Sequence, residues 1–436
     1  MREEEELKQR VLLVGVDTGE EEDFTASMQE LASLAEACNM EVVGIITQKM
    51  ERINKALYIG TGKVEEAKQF ARDVEAQVAV FDNTLSPSQM RNLQQELDMP
   101  VIDRTNLILD IFSSRARTRE AKLQVETARL QYMLPRLVGL HDALGRQGGA
   151  SGSLSNKGAG EKKLELDRRK IEHRISELKK ELEEVSSQRL TQRKKRVKSA
   201  VPRVSLVGYT NAGKSTIMNR LVDLYIKDDS KKVLEKDMLF ATLETSVRMI
   251  DVGDKKPFYL ADTVGFIHKL PHDLIKAFRS TLEEVREADL LLHVIDVSDP
   301  DHRQHMKVTE ETLRELGAGA IPMIYVYNKA DLCLDEQGER KFPEEVLPMV
   351  SQERIYMSAG NGQGLEELTG LITKRLYAAN STEKFLIPYD KGGVLSDLLQ
   401  NGSVISQEYT ESGVCLVINC KPREKEKYKS YLMDES

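Results

Sequence analysis

Two glycines, a lysine and a hydroxyl stand at the spacing GxxxxGK[ST] in Gly208-Tyr-Thr-Asn-Ala-Gly213-Lys214-Ser215. Such a loop curls so that successive N–H groups, through Asn211, Ala212 and Gly213, point inward at a phosphate chain. A helix opening at Thr216 adds the positive end of its dipole. Lys214 then reaches the β- and γ-phosphates, and the Ser215 hydroxyl holds Mg²⁺. In Leu239-Phe-Ala-Thr242-Leu-Glu-Thr245, Thr242 is preferred over Thr245 as the hydroxyl that reaches the same Mg²⁺ while a γ-phosphate is present. A DxxG follows at Asp262-Thr-Val-Gly265: the Asp262 carboxylate supports the Mg²⁺ shell, and the Gly265 N–H bonds the γ-phosphate until hydrolysis removes it. Lys214, Thr242 and Gly265 are therefore the candidates for hydrolysis itself.

The base is specified by Asn328-Lys329-Ala-Asp331. One carboxylate accepting from N1–H and N2–H₂ is a pairing that guanine offers and adenine does not, so Asp331 selects GTP. Asn328 is expected to tie this loop to the phosphate loop, Lys329 to cover the base, and Ser358-Ala359 to supply a backbone N–H for guanine O6. After the DxxG comes Phe266, where many GTPases carry a water-orienting glutamine, so activation from outside is expected. Asn211 lies where, in some GTPases, an asparagine helps hold K⁺, which makes K⁺ a second candidate ion.

These residues need strands that end where they begin, and the sequence supplies them. Val204 to Val207 precedes the phosphate loop, Pro257 to Ala261 the DxxG, Pro322 to Tyr327 the base loop, and Arg354 to Met357 the Ser-Ala pair. A P-loop GTPase domain is expected over 200–380. Ahead of it, Val11 to Val16, Glu41 to Ile46, Val78 to Phe81 and Val101-Ile102 alternate with amphipathic stretches, which reads as a small parallel-sheet α/β domain over 1–112. Its Gly60-Thr-Gly62-Lys63 lacks half of the phosphate-loop pattern and reads first as a turn opening a helix. After the GTPase domain, 381–436 reads as a small C-terminal α/β domain.

Between the two lies a different kind of segment, 113–199. Leu123, Leu130 and Leu137 repeat at seven with Leu134 between them, and Leu164, Ile171, Ile175, Leu178, Leu182 and Val185 form a second stripe. This predicts a long antiparallel helical hairpin, kinked at Pro135, with a tip at 145–160 that holds six glycines in sixteen residues. Arg115, Arg117 and Arg119 flank one end, Arg146 and Lys157 sit at the tip, and six further basic residues from Arg189 to Lys198 close the other end. On a chain whose net charge is −8, clusters around a projecting hairpin point to a specific polyanion and not to indiscriminate nucleic-acid binding.

Composition sets the outer bounds. At 436 residues the chain is too long for one core, its four cysteines lack metal-ligand spacing, and no stretch of 18 apolar residues offers a membrane span. The acidic opening Met1-Arg-Glu-Glu-Glu-Glu is unlike a secretory signal, so a cytoplasmic protein is expected.

Several runs together resemble the HflX family of ribosome-associated GTPases: Gly60-Thr-Gly-Lys-Val-Glu-Glu66, Leu85-Ser-Pro-Ser-Gln-Met-Arg-Asn-Leu93, Val101-Ile-Asp-Arg-Thr105, Ile108-Leu-Asp-Ile-Phe112, Leu134-Pro-Arg-Leu137 and the phosphate loop. The resemblance extends from Val11 to about Asn380. It implies a GTPase, monomeric off the ribosome, that binds GTP and GDP and the 50S subunit of the 70S ribosome. Such a protein reaches ribosomal RNA near the peptidyl-transferase centre with its hairpin tip and splits stalled or idle ribosomes into subunits. It also raises a nucleotide or RNA role for the N-terminal domain, since ATP hydrolysis is attributed to that domain in some members. The tip departs from the family's usual GGxGxRGPGExxLE-like loop, reading Gly148-Gly-Ala-Ser-Gly-Ser-Leu-Ser-Asn-Lys-Gly-Ala-Gly-Glu-Lys-Lys-Leu-Glu165. This departure motivates a second expectation, displacement of ligands bound at that centre. The competing reading is a GTP-gated factor for assembly of the large subunit.

Overall fold

A computed structural model describes residues 8–19, 23–146, 165–185, 201–226, 240, 245–253, 256–271, 274, 279–335, 337–338, 340–343, 345–378, 380–420 and 422–433. The side chains of 137–146 are outside that description, as are Thr242, Lys157 and the basic run from Arg189. The chain divides into two units. The first comprises Met1–Lys195, Lys236–Glu244 and Val264–Glu283, and the second Arg196–Glu235, Thr245–Thr263 and Glu284–Ser436.

In the first unit, Val11 to Val16 are buried without interruption, as a parallel strand covered on both faces requires. That strand, β1 (Gln9–Asp17), lies inside a four-stranded parallel sheet of order β2-β1-β3-β4, with β2 (Met40–Lys49), β3 (Val78–Phe81) and β4 (Val101–Asp103). The connecting helices α1 (Phe24–Ala37), α2 (Thr61–Asp73) and α3 (Pro87–Leu97) start where the sequence provides caps. Asp23 accepts from Ala26 N at 2.9 Å, and Ser86 forms a reciprocal box with Gln89 behind Pro87. Gly60 opens α2, its N–H donating to Gln48 Oε1 at 2.8 Å, so the Gly60–Lys63 run is a helix start.

Helix α4 (Arg104–Arg115), capped by Asp103, leads into α5 (Arg119–Arg146), which continues through Pro135. A further helix, α6, covers 165–185. Glu126 pairs with Arg174 at 2.9 Å and Arg119 with Glu181 at 3.1 Å, so seven residues forward on one helix are seven residues back on the other. The hairpin is therefore antiparallel. Its seam is the stripe legible in the sequence, with Leu123, Ile175 and Leu178 buried. α5 is rooted on the sheet by polar contacts: Tyr132 Oη donates to Asp103 Oδ1 at 2.6 Å, and Arg136 donates to Leu85 O at 2.9 Å while its guanidinium lies over the Tyr132 ring. Burial and the adjacent Asp103 carboxylate hold the Tyr132 hydroxyl protonated far above the usual phenol range.

The second unit carries a seven-stranded sheet of order β10-β11-β9-β8-β5-β7-β6. Its strands are β5 (Arg203–Gly208), β6 (Ser246–Ile250), β7 (Phe258–Asp262), β8 (Leu290–Asp296), β9 (Met323–Asn328), β10 (Met349–Val350) and β11 (Arg354–Tyr356). All pair in parallel except β6 and β10 at the edges. Apolar residues of β5, β8 and β9 pack against Ile217, Met218 and Leu221 of α7 (Lys214–Tyr225) in one core. The same unit contains α8 (Arg279–Arg286) in part, α9 (His302–Glu315) and α10 (Leu365–Leu376). At its C-terminal end, an antiparallel sheet of order β12-β14-β13 is formed by β12 (Ser381–Ile387), β13 (Ser403–Thr410) and β14 (Gly413–Cys420). Leu398 of α11 (Gly392–Asn401) packs on it with Tyr428, which follows α12 (Pro422–Lys427). α12 ends at Lys427, and one tight turn follows at Lys429–Tyr431.

Because the seam carries the hairpin and its exposed ion pairs add little, Leu178→Ala is expected to destabilise the pairing by about 2–5 kcal/mol. Arg174→Ala, which breaks a solvent-exposed pair, should change stability little. Amide exchange across 165–185 separates the two, and equal loss of protection in both variants would contradict this packing.

Candidate functional site

Four strand ends of the second unit converge on one loop. β5 stops at Gly208 in a left-handed region (φ 144), where a Cβ would stand 2.2 Å from the carbonyl oxygen of Val294 on neighbouring β8. At the far end of the loop Gly213 (φ 97) opens α7, and a Cβ there would lie 2.1 Å from Asn328 Nδ2. Both glycines are dictated by close approach as well as by backbone conformation. Asn211 also takes a positive φ, at an exposed position, as asparagine tolerates.

Lys214 is buried, its ammonium donating to the carbonyls of Gly208 at 3.1 Å and Tyr209 at 2.6 Å, so the lysine is curled back over its own loop. Burial lowers its pKa to about 8, with Asp262 pulling the other way. Ser215 Oγ donates to Asp262 Oδ2 at 2.7 Å, which brings a hydroxyl and a fully buried carboxylate to one point at the ends of β5 and β7. Two hard oxygen ligands side by side fit Mg²⁺, which binds through such groups and keeps several waters. Thr216 is the next residue of α7 and half-buried. His293 of β8 is buried, and burial followed by the Lys214 charge pushes its pKa down to about 4, so the imidazole stays neutral at the base of the site.

Asn328 joins the two halves of the site. Its Nδ2 donates to Ala212 O at 2.9 Å and its Oδ1 accepts from Ala359 N at 2.9 Å. The Ala359 N–H, expected to face a base, is thus engaged by Asn328 in this structure. Lys329, in the left-handed region at φ 58, pairs its ammonium with Asp296 at the end of β8, 2.7 Å away. Asp331 Oδ2 accepts from Asn361 Nδ2 at 3.1 Å. The Ser358 hydroxyl in turn accepts from Asn361 N at 3.4 Å. Arg220 of α7 bonds the carbonyls of Ala359 and Gly360 and braces this loop from below. Asp296, Asn361, Arg220 and His293 belong to no motif. Asp296 and Asn361 are marked only by a strand-end and a turn position, and Arg220 and His293, inside α7 and β8, by nothing in the sequence.

Gly265 and Phe266 fall in the segment 264–283 that clusters with the first unit, where Phe266 is buried with 2% exposure. Thr242 lies outside the described residues. Of the residues expected at RNA, Arg115 ends α4 half-buried, Arg117 is exposed, and Arg119 is exposed and paired with Glu181. Arg146 ends α5, and its side chain and Lys157 are outside the described residues. Among the described residues no group of acidic, histidine or cysteine side chains forms a metal cluster, no helix is long and apolar enough to cross a membrane, and the four cysteines are free.

Three family models match in tandem: GTP-binding GTPase N-terminal over 25–113, GTP-binding GTPase Middle Region over 115–196, and 50S ribosome-binding GTPase over 203–329. A GTPase HflX from Caldanaerobacter subterraneus subsp. tengcongensis is 43% identical over 98% of this chain and 94% of its own. The chain belongs to the HflX family of GTPases. A second HflX, from Escherichia coli, is 39% identical over 93% of this chain and 92% of its own. Among solved structures, a GTP-binding protein from Sulfolobus solfataricus in complex with GDP is similar over 84% of this chain and 99% of its own, at 26% identity and a TM-score of 0.41. As an HflX, the chain is a GTPase built from an α/β N-terminal region, a helical middle region and a P-loop domain.

Phosphates replacing the carbonyl partners of Lys214 would return its pKa toward the ordinary 10.5. Nucleotide binding should therefore take up about 0.7 proton at pH 8.5 and almost none at pH 7, with affinity falling as pH rises above 8. Titration calorimetry in buffers of different ionisation heat checks this. Uptake unchanged in Lys214→Met would contradict it.

Proposed function

We propose that this HflX uses GTP to govern its grip on the large ribosomal subunit and splits 70S ribosomes with its hairpin. In this reading Lys214 meets the β- and γ-phosphates, with Asn211, Ala212 and Gly213 wrapping them. Ser215, Thr242 and Asp262 hold Mg²⁺, directly or through water. Gly265 bonds the γ-phosphate, and hydrolysis releases it. Asp331 reads guanine, Asn361 sets its orientation, and Lys329 swings from Asp296 over the base. Asn211, at its phosphate-loop position, would help hold a K⁺ that stands in for an arginine finger. Phe266, apolar and buried, cannot align water, so the ribosome supplies what activates hydrolysis.

The observation that carries the reading is the rooted hairpin. α5 is fixed to the N-terminal sheet as far as Arg136 by Asp103 and Leu85, and α6 is held to it in antiparallel register. A hairpin anchored this way would transmit force to whatever the residues between α5 and α6 contact, and meeting ribosomal RNA there they would displace neighbouring ligands. The 50S ribosome-binding model matched by the P-loop region supports the partner.

Light scattering of 70S particles mixed with this protein and a non-hydrolysable GTP analogue tests the proposal. Prompt loss of scattering is expected with the analogue and not with GDP. Binding confined to immature large subunits, with 70S particles left intact, would replace splitting by an assembly role.

A further inference from the structure

The N-terminal sheet has the strand order 2-1-3-4, so the direction of winding reverses between β1 and β3. In open α/β sheets the crevice beyond the carboxyl ends of the strands at such a reversal is where ligands bind. Here the crevice is filled by the chain itself. Asp82, the residue after β3, is fully buried, and its carboxylate accepts from Arg104 Nη2 at 2.6 Å, from Ser27 Oγ at 2.9 Å and from the ammonium of Lys269. Arg104 is 1% exposed and also bonds Glu30 at 2.6 Å, Ser27 O at 2.8 Å and the carbonyl oxygen of His268 at 3.2 Å. Lys269 adds a bond to Ser27 Oγ at 3.0 Å. Removing the Lys269 ammonium would take one cation from a fully buried carboxylate, which is costly at this depth. Lys269 takes a left-handed backbone (φ 56), an unfavourable conformation for lysine that persists only where surroundings impose it.

We propose that the crevice between β1 and β3 is a binding site for a primary ammonium group, and that Lys269 is its resident ligand, docked so that it fixes the segment carrying Gly265. The site supplies two acceptors, Asp82 Oδ2 and Ser27 Oγ, to one ammonium. Although burial alone would raise the Asp82 pKa, Arg104 and Lys269 together hold it below the ordinary carboxylate range. Because Gly265 is four residues before Lys269, docking and the γ-phosphate bond of Gly265 constrain one short stretch of chain. The N-terminal unit is thereby a receptor that biases the nucleotide switch. Next to Arg104 in sequence, Asp103 holds Tyr132 and Arg136 of α5, so the receptor and the hairpin root share the start of α4.

The inference rests on the reading of Asp262–Gly265 as a nucleotide switch, and the test separates the two. Affinities for a non-hydrolysable GTP analogue and for GDP are measured with Mg²⁺ on the full chain, for wild type, Lys269→Ala and Lys269→Arg. Lys269→Ala, at a position 17% exposed, is expected to change the analogue-to-GDP affinity ratio at least about fivefold, the lower end of typical coupling between sites. n-Propylammonium, which refills the vacated site, should return the ratio toward wild type, whereas tetramethylammonium, with no N–H to donate, should not. Lys269→Arg should stay near wild type. In an Asp82→Asn background, Lys269→Ala should have little further effect. A ratio unchanged in Lys269→Ala, or a change that propylammonium fails to reverse, would overturn the proposal. A wild type that does not distinguish the analogue from GDP would instead remove the switch reading beneath it.

Discussion

One amide side chain holds the nucleotide site in register. Asn328 ends β9, reaches across to the phosphate loop through Ala212 O, and accepts from Ala359 N on the loop after β11. Its nitrogen packs where a Cβ on Gly213 would go, so the loop can close only around glycine and only with asparagine beside it. Three strand ends are thereby fixed to one another by a residue that is 2% exposed. Replacing it would strand a buried donor and a buried acceptor together, the costly way to lose hydrogen bonds. The remaining site geometry depends on this tie. Arg220 braces the Ala359–Gly360 carbonyls, Asn361 aligns Asp331, and Asp296 draws in Lys329.

Much of this was legible because motif chemistry and strand periodicity agree. A phosphate loop, a DxxG and an NKxD each require a preceding strand, and the apolar runs at Val204 to Val207, Pro257 to Ala261 and Pro322 to Tyr327 supplied them. The heptad stripes likewise announced the hairpin, since Ile175 and Leu178 are buried while Ser176, Glu177 and Lys179 are exposed. What stayed hidden has a common cause. β8 is uniformly apolar around His293, and uniform burial leaves no period to mark function. Asn361 and Arg220 act through backbone carbonyls and a neighbour's carboxylate, contacts that only the fold brings together. The Ala359 N–H illustrates the same limit: its position was readable, but its partner Asn328 was not.

The buried charges of the first unit show how a fold converts sequence neighbours into opposite-facing contacts. Asp103 and Arg104 sit at the start of α4, the one serving α5 and the other serving Asp82. A helix N-terminus is a stiff place from which to hold two partners, because its caps are set by hydrogen bonds rather than by rotamer choice. Phe266 and Lys269 lie in a segment that clusters with this unit rather than with the sheet that holds the phosphate loop. The chain thus runs from the strand end at Asp262 into a stretch governed by other neighbours.

In the proposed function, Asp331 reads guanine within the site that Asn328 assembles. Competitive nucleotide binding by Asp331→Asn measures this directly. Exchanging the carboxylate for an amide reverses one hydrogen-bond direction, so affinity for GTP should fall by about two orders of magnitude or more while xanthosine triphosphate, with its carbonyl at position 2, becomes the preferred ligand. A variant that still prefers GTP as the wild type does would contradict the base assignment and the site built on it.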